Sequence, residues 1–195
     1  MRPDLPFLPP SLRSVLDIGC GPDSSLERWL PPETPVVGID VDLSIISKNA
    51  GTRYKLVCGT AEALPFADGS FDFVISKVAM PYVNIPVSLR EIHRVLVPGG
   101  TIWISLHEVS MALRRISRDL SRIRIADMMY QLYAIGNGYC LDTFGRQFHW
   151  MFNRSRIEST QTVSGMAKAL GRVGFTDVRF DRDQNPIFAM SARKI

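Results

Sequence analysis

Along the first hundred residues the apolar positions fall into short unbroken runs, each followed by glycine, proline or polar punctuation. Val15-Leu16-Asp17-Ile18, Val36-Val37-Gly38-Ile39, residues 54–58, residues 71–76 and residues 101–106 have the length and composition of buried strands. Between them lie helical signals. Ser24 and Glu27 fit a capping box that opens a first helix, and Pro31-Pro32 stops it. A helical segment over 43–49 closes at Gly51. Residues 59–66 read as a loop or short helical turn, and Asp68-Gly69 as a turn. Pro86 suits the first turn of a helix whose apolar positions Leu89, Ile92 and Leu96 recur at helical spacing, before Pro98-Gly99-Gly100 breaks it. Strand and helix therefore alternate, which predicts a Rossmann-like, doubly wound α/β fold with a mostly parallel sheet.

The pattern then changes. Residues 108–158 form an insertion after the fifth strand, in which Leu113, Ile116, Leu120 and Ile123 make a core-facing stripe at helical spacing with Arg115, Arg118 and Arg122 on a solvated face. Residues 134–139 have the composition of a hinge, and Phe144, Phe148, Trp150, Met151 and Phe152 are a dense aromatic and soft cluster. Two readings stand together here: a substrate-selecting lid and an ordinary packing cluster. Residues 160–170 read as a helix ended by Gly171, and residues 175–180 and 186–192 as strands joined by a turn at Asp183-Gln184-Asn185. At the other end Pro3, Pro6, Pro9 and Pro10 predict an extended arm, pinned by Leu5, Phe7 and Leu8.

Composition narrows the class. With 195 residues, 46% of them hydrophobic, the chain reads as a single domain over 1–195. Cys20, Cys58 and Cys140 are odd in number and widely spaced, so neither a metal-binding pair nor a disulfide framework is expected, and the compartment is read as the cytoplasm. No apolar run reaches the roughly 20 residues of a membrane span. The net charge of +4 suits an acidic partner but does not by itself indicate nucleic acid.

Ligands of open α/β sheets gather at the carboxyl ends of the strands, where Asp17, Asp40, Thr60, Ser76 and His107 fall. Gly19 and Gly21 make a cradle that lets a small molecule approach the backbone. Asp40, about 20 residues beyond it, has the position of an acid that accepts from ribose hydroxyls. A dinucleotide site would place a third glycine where Ser24 stands, and Asp17 before the loop favours a cationic ligand over a diphosphate.

Val-Leu-Asp-Ile-Gly-Cys-Gly at 15–21, Gly-Ile-Asp at 38–40, Ala-Glu-Ala-Leu-Pro-Phe at 61–66, Phe-Asp-Phe-Val-Ile-Ser at 71–76 and Leu-Arg-Glu-Ile-His-Arg-Val-Leu-Val-Pro-Gly-Gly at 89–100 resemble, in order and spacing, the motifs of class I S-adenosylmethionine-dependent methyltransferases, nearest to the type 11 branch. The resemblance implies a sheet whose last strand is antiparallel, and S-adenosylmethionine as cofactor. It implies that Asp17, Gly19, Cys20 and Gly21 hold the amino-acid end, Asp40 the ribose, Val41 a face of the adenine and Thr60 with Ala61 its edge, while Ser76 lines the methyl side. No metal is implied. Asp23 stands where the family usually has glycine, Thr60 where it usually has an acid, and the arm before the first strand is short. Of the histidines, His93 reads as a surface residue, His149 lies in the insertion, and His107 is the best-placed base. The leading function is methyl transfer by in-line displacement to a small-molecule or lipid-like acceptor. A weakened S-adenosylmethionine-binding subunit or regulator is the alternative, followed by an RNA methyltransferase. Nucleic acid is disfavoured because neither an Asn/Asp-Pro-Pro-Tyr/Phe motif nor a paired-cysteine site occurs.

Overall fold

The computed structural model describes residues 12–21, 26, 30–42, 44, 54–120, 125–181 and 187–195. Seven strands, β1 (Val15–Ile18), β2 (Val36–Asp40), β3 (Tyr54–Cys58), β4 (Phe71–Lys77), β5 (Leu96–His107), β6 (Phe175–Asp181) and β7 (Ile187–Lys194), form one sheet in the order β3-β2-β1-β4-β5-β7-β6. The first five are mutually parallel, and β7 runs antiparallel to both β5 and β6. Four helices are described: α1 (Ile85–Val95), α2 (Val109–Leu120), α3 (Ile125–Phe144) and α4 (Val163–Val173). The strand order reverses between β1 and β4, and a crevice opens at such a switch point.

The strands are apolar on both faces because both are covered. Leu16, Val74, Ile102, Ile104, Phe188 and Met190 join one core with Ile85, Leu89 and Ile92 of α1 and Met166 and Leu170 of α4. The alternate residues Val15, Phe73, Ile75, Trp103 and Ala189 join another with Leu26 and Leu30. The period of two along each strand thus sends successive side chains to opposite cores.

Several element boundaries differ from the sequence reading. α1 is capped by Asn84, whose side chain accepts from the Val87 N–H, and Leu96 already belongs to β5. α4 begins after Thr162, which accepts from the Gly165 N–H, and ends at Gly174 in the left-handed region rather than at Gly171. Leu113 is exposed and Ala112 is buried instead, so the inward face of α2 carries Arg115 rather than Leu113. Residues 134–139 lie within α3 and are not a hinge. Gly138 is there because a Cβ would come within 1.9 Å of the Thr160 carbonyl oxygen: the helix touches the returning chain. His93 is half-buried, edge-on to Phe175, rather than on the open surface. The N-terminal arm, the capping box at Ser24 and Glu27, Asp23, the helix over 43–49 (Ser44 excepted) with Gly51, Arg122 and Ile123 of the stripe, and the turn at 183–185 lie outside the described residues.

Candidate cofactor and acceptor site

A cleft of about 470 Å³ lies at the carboxyl ends of β1, β2, β3 and β4. Gly19 reaches it in the left-handed conformation at φ 69°, and a Cβ there would stand 2.4 Å from that of Ala79. Gly21, at φ 60°, donates its N–H to Asp40 Oδ2 at 3.1 Å, and Asp42 N–H donates to Oδ1 at 3.1 Å. Two backbone donors thus orient the Asp40 carboxylate, and each oxygen keeps a lone pair for a further donor. The Gly19 and Cys20 N–H groups both donate to the Ile39 carbonyl, so the loop is tied to β2.

The seam between β1 and β2 requires a second small residue. A Cβ on Gly38 would lie 2.9 Å from both Cys20 Sγ and Leu56 Cδ2, so the glycine of Gly-Ile-Asp seats the Cys20 side chain. Burial first, then the Asp17 and Asp40 carboxylates, push the Cys20 thiol up to about 12, which removes it as a nucleophile near neutrality. Asp17 is buried at the end of β1, outside the cleft lining.

Val41 is 68% exposed and lines the cleft, an apolar face open to a ligand. Thr60 and Ala61 line it as well, together with Glu62, whose carboxylate accepts from the Asn84 N–H at 2.9 Å. The loop carrying these residues is held from behind. Glu91 of α1 accepts from the Leu64 N–H, and Arg94 donates to the Leu64 and Phe66 carbonyls and pairs with Glu91 and Asp68. This network explains why the motifs at 61–66 and 89–100 accompany each other: one is the ligand loop, the other its brace. Arg94 in turn holds the Glu91 carboxyl below its ordinary value.

From the last residue of β4 onward, Lys77, Val78, Ala79, Tyr82 and Val83 continue the wall. Val78 sits at φ 62°, costly for a β-branched residue, and its N–H is held by Ser105 through both Oγ and the carbonyl. Strain of this kind is tolerated where surrounding bonds enforce it. Ser76, next to Lys77 within β4, is fully buried and is not part of the lining.

The roof comes from the chain after α3: His149, Ser155 and Ile157 line the cleft. Asn137 clasps both ends of this loop, accepting from Phe148 N–H and donating to the Phe148 and Glu158 carbonyls. Tyr133, one helical turn earlier, donates to the Phe148 carbonyl at 2.6 Å. His107 is buried behind Tyr82, edge-on with ring centroids 5.7 Å apart, and does not line the cleft. Burial and, secondarily, the nearby Arg115 push His107 down to about 4, so it is neutral and weakly basic. Arg115 pairs with buried Glu158 at 3.6 Å.

The structure therefore brings Gly19, Asp40, Val41, Thr60 and Ala61 into one cleft. Gly21 is bonded to Asp40 of the lining, while Asp17, Cys20, Ser76 and His107 are buried and do not line the cleft. Residues 77–83 follow a strand end and were accessible to the strand-end rule, whereas Ser155 and Ile157 arrive by a long-range return that no local pattern marks. Among the described residues no cluster of His, Cys, Asp and Glu could hold a metal ion, and no helix is long and apolar enough to cross a membrane.

Residues 16–104 match a family model described as a methyltransferase domain. A malonyl-[acyl-carrier protein] O-methyltransferase of Erwinia pyrifoliae is 36% identical over 124 residues, 58% of this chain and 47% of that protein. A demethylmenaquinone methyltransferase of Roseiflexus castenholzii is 38% identical over 102 residues, 48% of this chain and 42% of that protein. The chain spans about half the length of the curated relatives it matches. Among solved structures, a SAM-dependent methyltransferase of Methanosarcina mazei superposes with a TM-score of 0.64 at 18% identity, covering 96% of this chain and 94% of that one.

Proposed function

We propose that this chain, whose residues 16–104 match a methyltransferase-domain model, binds S-adenosylmethionine in the β1–β4 cleft and methylates a small-molecule or lipid-like acceptor. The observation that supports this most is the Asp40 carboxylate, fixed by two backbone N–H groups at the mouth of a cleft floored by Val41. Oriented acceptors of this kind take a vicinal diol, and the adjacent apolar face takes a base. When bound, S-adenosylmethionine supplies a methyl group on a sulfonium centre, whose leaving group departs neutral.

The chain's own residues then orient and desolvate. Glu62 and Asp40 favour a cationic ligand, with Glu62 supplying an acid beside Thr60, the position where the family resemblance lacks one. Tyr82, His149, Ser155 and Ile157 bound the side facing solvent and exclude water from the reacting groups. A base is needed only if the acceptor must lose a proton. His149, on the lining, is better placed for that task than His107. The relatives named above act on acceptors attached to a carrier or a quinone, in keeping with a slender or lipid-like acceptor here.

Calorimetry tests the reading. S-adenosylmethionine and its demethylated product should bind, NAD should give no heat, and Asp40→Ala should weaken binding by about 1.5–3 kcal/mol, the usual loss for a charged acceptor. Unchanged affinity in Asp40→Ala would overturn the ribose assignment.

A further inference from the structure

On the far side of α1 a second cavity of about 280 Å³ shares no lining residue with the cleft. Pro86, Arg90 and His93 project into it from one face of α1, Ala169, Arg172 and Val173 from α4, and Leu141 with Gly145 from the end of α3. Successive spacings of four and three on α1, and positions three and four beyond Ala169 on α4, are what place each set on a single helical face. We propose that this cavity is a binding site for a small organic monoanion with an apolar body.

Three features carry the assignment. The floor is apolar, formed by Pro86, Leu141, Ala169 and Val173, while among the described residues the only charged side chains in the lining are the guanidiniums of Arg90 and Arg172, with His93 beside them. Arg172 is pre-set. Its Nη1 donates to the Leu141 carbonyl at 3.3 Å, and its guanidinium lies over Gly145 so closely that a Cβ there would stand 2.6 Å from Nη1. The left-handed glycine that ends α3 therefore also makes room for the cation, and no other hydrogen bond of that guanidinium is made among the described residues. Arg90 makes no side-chain hydrogen bond or ion pair among the described residues. Asp142 feels the Arg172 charge but gives its direct bonds to Lys168, at 2.7 Å, and to Thr162, and Glu91 is taken by Arg94. Lys194, bonded to the His93 carbonyl, adds further positive potential. Two forks with no carboxylate bonded to them among the described residues, above an apolar floor, suit a carboxylate, which guanidinium binds in a planar, paired manner.

The cavity is small beside the usual range of ligand sites, so the occupant is small as well. The probe is 2-naphthoate, with 2-naphthol as the neutral body and inorganic phosphate as the charge without a body, titrated calorimetrically into the whole chain. A dissociation constant of about 1 mM or tighter is what a ligand of that size gives. Naphthoate should bind, naphthol and phosphate at least tenfold more weakly. Arg90→Ala should cost at least tenfold, and Arg172→Lys, which keeps the charge but loses the fork, should cost about as much. Arg90 is exposed, so its variant should melt with the parent protein, and Asp40→Ala should leave naphthoate binding untouched, separating this site from the cofactor cleft. Silence at 5 mM naphthoate, equal binding of naphthol, or full affinity in the Arg90 variant would overturn the proposal.

Discussion

His107 is held neutral by burial, with Arg115 adding a smaller push in the same direction, and its folded pKa of about 4 lies below the value of about 6.5 for a free imidazole. Between those two values the unfolded chain takes up a proton that the folded chain refuses. Stability from this residue is therefore complete above about pH 6.5 and is lost as pH falls towards 4, with roughly 3 kcal/mol at stake. Urea midpoints measured across that window should fall with acid in the parent protein and flatten in His107→Gln. Equal slopes in the two would place the acid sensitivity elsewhere. For chemistry the same burial means that the acid limb near pH 6.5 that an unperturbed imidazole would give moves, for His107, to near 4. That residue was singled out because it ends a strand, and it does; what the sequence did not carry is Tyr82 standing between its ring and the cleft.

Gly136 and Gly138, two residues apart on α3, make a matched pair. A Cβ on Gly136 meets nothing within 4 Å, whereas one on Gly138 would meet the Thr160 backbone. Gly136→Ala should stabilise the protein by about 0.5–1 kcal/mol, as expected for an exposed helical glycine. Gly138→Ala should destabilise it by about 1–3 kcal/mol or more. Thermal melts of both variants separate a helix from a hinge, since at a hinge both changes would act alike. Glycine and asparagine together suggested bending because local composition does not say which residues will be pressed against a distant segment of the chain. Asn137 shows the same limit. Its side chain closes the base of the roof loop, so Asn137→Ala should open that loop to proteolysis between 148 and 158 and slow turnover. Cofactor affinity should stay within about twofold; a loss as large as that of Asp40→Ala would assign the roof to the cofactor instead. By contrast α1, with its proline at the start and a regular apolar stripe, was legible almost residue for residue because its burial repeats with the helical period.

For the molecule as a whole, the parallel half of the sheet was readable because each strand is an apolar run on a chain that returns the same way each time. The antiparallel direction of β7 is what the family resemblance implies, but its placement between β5 and β6 is specified by nothing in the strand sequences. Among the described strands β6 bonds only to β7, so it cannot stay in the sheet once β7 leaves. Native-state hydrogen exchange should find the β6 amides no better protected than those of β7, and slower exchange in β6 would contradict that dependence. Time enters here as well as geometry. A ribosome delivers β6 before the strand that joins it to the rest, so the growing chain passes through an interval in which β5 shows a bare, strongly apolar edge while β6 waits unattached. Such an edge is a template for any extended segment nearby, and in that interval the nascent protein is most exposed to mispairing and most in need of a chaperone.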